Sequence, residues 1–353
     1  MDEFFGVLWS LLLAAGFCLL TIPLFKQIAV RIDLVDKPTL RKQHHGEVPV
    51  IGGVAIYIAT LFSMLILYRS VDAVLPLLLA FGLVVVGVID DRIGLTSLVR
   101  FPVQIGVATL MVSFSQGGIV SVGDLFGQGA VEFSGAASLA FTIMCVVGVI
   151  NSINMLDGID GLSGVIVCIT LSTLAIFSAM AGDMVSVSLI VGLIGSTCVF
   201  LFFNSRMFRK RATIFLGDAG STMFGLVVVW YFIKLTQYDN AVLSPVAAGW
   251  IFGLPLMDTV AVMVGRIMDK RSPFDADRSH LHHRVLDAGF SVNQTVLYMA
   301  LVHMLFVSLG ILCNQFRSYE QHFFWGFVAL VVLHFFFTPV LLSRCARVFK
   351  LVR

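Results

Sequence analysis

A 353-residue chain that is 58% hydrophobic and 12% charged does not fit a soluble globular domain, in which about 25% of residues are charged. Its mean hydropathy is +0.97, and apolar runs recur from end to end, so a polytopic membrane protein is expected. A formal net charge of +2 offers no basic field for nucleic acid, and no nucleic-acid partner is expected. The six cysteines form no C-x-x-C pair, and most lie in apolar runs as small buried hydrophobes.

The expected fold class is all-α. It is a single integral-membrane domain over 1–353, with about eleven transmembrane helices at 4–25, 51–68, 74–89, 101–116, 136–151, 161–182, 185–203, 219–236, 244–265, 294–313 and 322–342. The first run, FFGVLWSLLLAAGFCLLTIPLF, follows Asp2 and Glu3 rather than a basic stretch, and no small-residue cleavage site comes after it. It reads as a retained span. The loop after it, VDKPTLRKQHHGEVPVIGG, is basic, and plain topogenic charge explains it about as well as a role in binding anions.

The third run ends in VVVGVIDDRIGL. Two adjacent carboxylates, Asp90 and Asp91, repel each other near a low dielectric unless a cation or hydrogen-bond donor compensates them, so the pair asks for a metal or a cationic partner. Arg100 follows the third run, just ahead of the fourth. After the fifth run comes NSINMLDGIDGLSG, in which Asn151, Asn154, Asp157 and Asp160 recur every third residue. A solvated turn accounts for its glycines but not for that spacing. Asn154 can ligate a cation, while Asp157 and Asp160 can accept hydrogen bonds from a polar ligand.

Before the eighth run, TIFLGDAGSTMFG carries Asp218. Asp218 or Ser221 can serve as a helix N-cap, or Asp218 can be a hard-cation ligand beside backbone N–H groups that face phosphate. Other carboxylates on the same side favour the metal. After the ninth run, RSPFDADRSHLHHRVLDAGFS sets Asp275, Asp277, His280, His282 and His283 among arginines that include Arg271. No thiolate accompanies the histidines and their spacing is not that of a zinc site. Arginine mixed with histidine suits phosphate oxygens better.

With eleven spans, 20 of the 23 basic residues fall on one side, leaving Arg69, Lys234 and Arg317 for the other. The positive-inside rule then puts the N-terminus outside and the C-terminus in the cytoplasm. Every polar cluster lies on the cytoplasmic face. A secondary transporter would instead place its carboxylates near the bilayer midplane and show paired repeats.

Together DKPTLRKQHHGEVPVIGG, VIDDRIGL, NSINMLDGIDGLSG, FLGDAGS and RSPFDADRSHLHH resemble the polyprenyl-phosphate N-acetylhexosamine-1-phosphate transferase superfamily, glycosyltransferase family 4. The H-x-H-H loop after R-S-P-F is similar to its bacterial undecaprenyl-phosphate N-acetylglucosaminyl-1-phosphate branch. The resemblance covers nearly the whole chain. It implies an enzyme that moves N-acetylglucosamine 1-phosphate from UDP-N-acetylglucosamine to undecaprenyl phosphate and releases UMP. Such an enzyme depends on magnesium, with manganese as a substitute, and works in the bacterial inner membrane. It begins a cell-surface polysaccharide such as the O-antigen of lipopolysaccharide or enterobacterial common antigen.

By motif, the resemblance implies Asp218 and Asn154 as metal ligands and Asp90 and Asp91 as the catalytic carboxylate pair. It implies Phe215 and Asp160 against the uracil with Asp157 at its border, and Arg100 near the diphosphate. His280, His282 and His283 match the histidine cluster, and Asn151 and Arg271 complete the candidate substrate-binding set. His45 stands where the muramyl branch has a lysine and is left unassigned. The alternative is a sister transferase using another UDP-N-acetylhexosamine or the muramyl-pentapeptide donor. The oligomeric state is open, a homodimer included.

Overall fold

The computed structural model describes residues 3–37, 46–115, 117–237, 241–273 and 278–352. His45, Asp275 and Asp277 lie outside this set. The chain is helical almost throughout. In order come α1 (Glu3–Arg31), α2 (Gly52–Tyr68), α3 (Val71–Ile93), α4 (Ser97–Phe114), α5 (Gly135–Leu156), α6 (Leu162–Met180), α7 (Met184–Asn204) and α8 (Gly217–Thr236). They are followed by α9 (Pro245–Ile251), α10 (Gly253–Met268), α11 (Leu281–Asp287), α12 (Val292–Gln315) and α13 (Glu320–Val352). A two-residue antiparallel pair, Val35–Asp36 with Val48–Pro49, closes the first loop.

Among the described residues, nine helices are long and apolar enough to cross a membrane, namely α1, α3 to α8, α12 and α13. The second expected run is the 17-residue α2, about 26 Å long at 1.5 Å per residue, slightly short of a 30 Å hydrocarbon core. The run expected as one span at 244–265 is instead α9 and α10, bent by 81°. Pro255, in the first turn of α10, has no N–H to return to the Ile251 carbonyl, so the helical ladder breaks there.

The helix termini follow local chemistry. Ser244 caps α9 ahead of Pro245 at its first position. Asp183 accepts from the Ser186 N–H at 3.0 Å to start α7, and Ser291 with Gln294 forms a capping box for α12.

Helix α8 runs through the centre, packed against α2, α3, α5 and α6, and is buried along nearly its whole length. The outer helices turn large apolar residues outward, among them Phe4, Leu20, Phe81 and Phe336. That surface suits lipid. Buried hydroxyls join neighbouring helices, as Thr60 and Ser196 do at 3.0 Å and Ser10 with the Ser188 carbonyl at 2.6 Å.

The last turn of α3 lies directly on the first turn of α8. A Cβ added at Gly87 would overlap the backbone of Ala219, so the two helices can meet only at a residue without a side chain. Gly87→Ala is therefore expected to force them apart at a cost of about 1–3 kcal/mol, typical of overpacking. Gly148→Ala, at a position with open space around it, should be neutral or slightly stabilising because alanine is the better helix former. Melting temperatures of the two purified variants check this, and equal behaviour would contradict the contact.

Candidate active site

Four helix ends meet at one face of the bundle, the C-termini of α3 and α5 and the N-termini of α4 and α8. Helix α3 stops at Gly94, whose N–H returns to the Asp90 carbonyl at 2.8 Å. The chain then reverses and brings the Leu95 N–H to Asp90 Oδ1 at 2.6 Å. Asp90 Oδ2 accepts from Arg100 Nη1 at 3.1 Å, and the same guanidinium nitrogen lies 3.7 Å from Asp218 Oδ2. Arg100 is thus shared by two carboxylates from two helices.

Asp91 turns the other way. Its carboxylate accepts the N–H groups of Asp218 at 2.9 Å and Ala219 at 3.4 Å. These are orphan donors in the first turn of α8, so the cap of α8 comes from a different helix. The N-cap position, Leu216, makes no side-chain cap hydrogen bond, and Ser221 donates to the Gly217 carbonyl. The adjacent acids avoid mutual repulsion because one faces a guanidinium and the other faces backbone N–H groups.

Asn154 reaches across from α5, its Nδ2 donating to Asp218 Oδ1 at 2.5 Å and to the Ser221 hydroxyl at 2.9 Å. Asn151, one turn earlier, donates to Gln104 Oε1 at 2.7 Å. Asp90, Arg100, Gln104, Asn151, Asn154 and Asp218 line a cleft of about 20 Å³, enough for about one water. It is the floor of a site rather than room for a nucleotide.

The rest of NSINMLDGIDGLSG forms an adjoining layer. Asp157 is half-buried and accepts from the Ser163 hydroxyl at 2.5 Å. Loss of water around its carboxyl pushes its pKa up to about 6, against the lowering effect of that hydrogen bond. Asp160 is ion-paired with Arg206 at 2.6 Å. Phe215 is held by its backbone, its N–H donating to the Pro49 carbonyl at 2.9 Å and its carbonyl accepting from Gly52 at 2.8 Å. This ties FLGDAGS to the end of the first loop.

The histidine segment packs against the NSINMLDGIDGLSG loop at Gly158. His282 is fully buried, neither ring nitrogen has a hydrogen-bond partner among the described residues, and a Cβ added at Gly158 would overlap its Nε2. Burial lowers its pKa to about 3, so it is neutral and contributes no positive charge. Burial also lowers the pKa of His283. His280 Nδ1 lies 2.9 Å from Asp258 Oδ2. Arg271 is exposed, and its N–H donates to the Arg266 carbonyl at 2.8 Å.

This arrangement can be set beside known proteins. Residues 73–236 match the model for glycosyl transferase family 4. The undecaprenyl-phosphate alpha-N-acetylglucosaminyl 1-phosphate transferase of Escherichia coli (strain K12) is 32% identical over 329 residues, covering 93% of this chain and 89% of the relative. Proteins of the same name from Haemophilus influenzae, 33% identical with 89% of each chain covered, and from Yersinia pestis, 30% identical over 93% of this chain and 89% of the relative, are also similar. The chain belongs to glycosyl transferase family 4.

Within that family member, Asp90, Arg100, Asn151, Asn154 and Asp218 come together in one cleft, while Asp91 stands behind it as a cap. Asp157, Asp160, Phe215 and the histidines form the surrounding layer. Sequence reasoning missed Gln104, Arg206 and Asp258. Gln104 lies one helical turn from Arg100, a spacing that can reveal it. Asp258 is an isolated acid inside an apolar run, itself a signal of function. Arg206 is one of four basic residues clustered between spans, and nothing in the pattern singles it out.

The buried neutral His282 makes stability depend on pH. Its pKa is depressed from 6.5 to about 3 in the fold. Below the unfolded value the denatured chain binds a proton that the native chain does not. Stability is therefore lost as pH falls from about 6.5 towards 3, by up to about 1.4 kcal/mol per pH unit. His282→Gln should flatten the melting temperature against pH over that window, and an unchanged curve would show that the ring is accessible to protons.

Proposed function

We propose that the chain transfers N-acetylglucosamine 1-phosphate from UDP-N-acetylglucosamine to undecaprenyl phosphate in a bacterial cytoplasmic membrane, releasing UMP and starting a cell-surface polysaccharide such as the O-antigen of lipopolysaccharide. Family membership and the activity named for relatives that align along nearly the whole chain support this reading. The observation that carries it is the meeting of Asp90, Arg100, Asn154 and Asp218 at four helix ends on one face. A water-soluble nucleotide sugar and a lipid phosphate can react only where bilayer meets water, and there the helix ends place the charged groups.

Magnesium, with manganese as a substitute, belongs to this proposal. Asp218 fits it through its carboxylate, whereas Asn154 presents its Nδ2 to Asp218 Oδ1 and its amide must turn over to offer an oxygen to the ion. Magnesium sites commonly use one or two protein oxygens and leave the remaining positions to substrate phosphates and water. Bound there, the ion would neutralise charge that builds on the diphosphate. Arg100 supplies a second positive group able to grip phosphate oxygens, and Asp90 aims it. Asp91 holds Asp218 in place through the α8 backbone. A phosphate monoester has a second pKa of about 6, so the acceptor is mostly dianionic at neutral pH and needs little help from a base. Asp157, Asp160, Phe215 and the histidine loop are proposed to hold the donor.

The decisive experiment measures UMP release by purified protein in lipid with undecaprenyl phosphate and magnesium. UDP-N-acetylglucosamine should support turnover, and other UDP-N-acetylhexosamines or the muramyl-pentapeptide donor should not. Removal of the ion by EDTA should stop the reaction reversibly. Asp218→Asn should lower the rate by about a hundredfold or more, in keeping with loss of a charge-stabilising group, while still inserting and folding. Near-normal turnover of that variant would overturn the assignment.

The proposed orientation, with the N-terminus external and the C-terminus cytoplasmic, rests on 20 of 23 basic residues lying on one side. Cysteines introduced at the exposed Gln128 and Arg211 should label from outside and inside, respectively. Labelling of both from the same side would break the scheme.

A further inference from the structure

The histidine cluster, which the sequence presents as three similar rings, divides sharply in the fold. His282 is sealed under Gly158 with both nitrogens enclosed, and among the described residues neither they nor the enclosed Nδ1 of His283 has a hydrogen-bond partner. His280 alone among the three makes a side-chain hydrogen bond among the described residues, to Asp258 Oδ2 at 2.9 Å. The other oxygen of Asp258 accepts the Leu281 N–H at 2.8 Å. Asp258 is 3% exposed and His280 5%.

The acid comes from α10, and the same helix holds the near end of the segment, where Arg266 donates to the Pro273 carbonyl at 2.7 Å. Pro273, His280 and Leu281, described residues on either side of the segment, are therefore all fastened to α10. A carboxylate only accepts hydrogen bonds, so the proton on the His280 ring facing it must sit on Nδ1. That fixes the plane of the ring and leaves Nε2 without a hydrogen bond among the described residues, the arrangement by which a second group selects a histidine tautomer.

We propose that Asp258 is a positioning residue: it orients His280 so that Nε2 meets the polar groups of the donor nucleotide sugar, while His282 acts as packing that fixes the histidine segment against NSINMLDGIDGLSG. This rests on the donor-binding role of the histidine loop given above. Asp258→Asn replaces one of two acceptor oxygens by an NH2 group, so either the Nδ1 proton or the Leu281 N–H loses its acceptor. The ring is then free to turn or change tautomer.

The test is a double-mutant cycle on UMP release with Asp258→Asn, His280→Ala and the double variant. Asp258→Asn should raise KM for UDP-N-acetylglucosamine about 10–100-fold, the range typical of losing a residue that orients another. KM for undecaprenyl phosphate should stay unchanged. In the His280→Ala background the same change should cost nothing further, because Asp258 acts through that ring. Losses that multiply, or a KM change shared equally by donor and acceptor, would overturn the proposal and leave Asp258 a purely structural acid.

Should Asp258→Asn not accumulate, His280→Gln decides. It keeps a donor for Asp258 but lacks the second ring nitrogen. It should melt like the wild type with a raised donor KM, and a wild-type KM would overturn the proposal. Absence of any UMP release by the wild-type chain overturns the function proposed above instead, so the two failures are read from different proteins.

Discussion

The carboxylate of Asp91 against the first-turn N–H groups of α8 is the contact on which the site depends. A helix that starts at a membrane surface leaves backbone N–H groups without acceptors, and an anion there satisfies both the hydrogen bonds and the helix dipole. In this chain the anion comes from α3, so one interaction both starts α8 and registers it against its neighbour. The junction tolerates no extra atoms. Gly217 has φ +76°, and a Cβ on it would overlap the Asp91 carboxylate, as one on Gly87 would overlap Ala219. Asp218 follows Gly217 directly and inherits its position from this junction.

Charge is balanced by geometry around that point. Asp90 and Asp218 line the same small cleft, with Asp91 just behind it, so their charges oppose one another and need compensation. That compensation comes from Arg100, which lies between Asp90 and Asp218, from Asn154, which donates to Asp218, and from the backbone N–H groups that Asp91 accepts. Arginine suits the shared position because its charge persists and its planar fork can meet two partners. The same group is then available to phosphate oxygens that carry more charge than either carboxylate.

A second set of anchors fastens the polar loops to the membrane helices. Asn204, at the end of α7, accepts from the Gly161 N–H at 2.7 Å and donates to the Ile214 carbonyl at 2.9 Å. Phe215 pairs with Pro49 and Gly52, and Asp258 and Arg266 hold the histidine segment. Loops fixed in this way can present groups to a soluble nucleotide while most of their backbone groups at these anchors are paired. The broken helix pair α9 and α10 fits the same pattern. Beyond its bend, α10 carries the buried acid that meets the histidine segment.

The amino-acid sequence by itself determined the membrane class, the helical architecture and the motifs at the helix ends, because lipid demands long apolar runs and concentrates polar residues where those runs stop. Asp90, Asp91, Asn154 and Asp218 were legible for that reason, as was the family. The sequence did not contain the division of labour among them. Asp90 and Asp91 are adjacent in the chain yet face a guanidinium and a helix terminus respectively, a difference decided by where α4 and α8 lie. Three histidines within four residues look alike until burial isolates His282 and Asp258 selects His280. Gln104, Arg206 and Asp258 entered the account only through their partners in space. Apolar periodicity is a local property that a sequence displays directly, whereas which carboxylate meets which donor depends on contacts between segments tens to hundreds of residues apart, and only the packed helices set those.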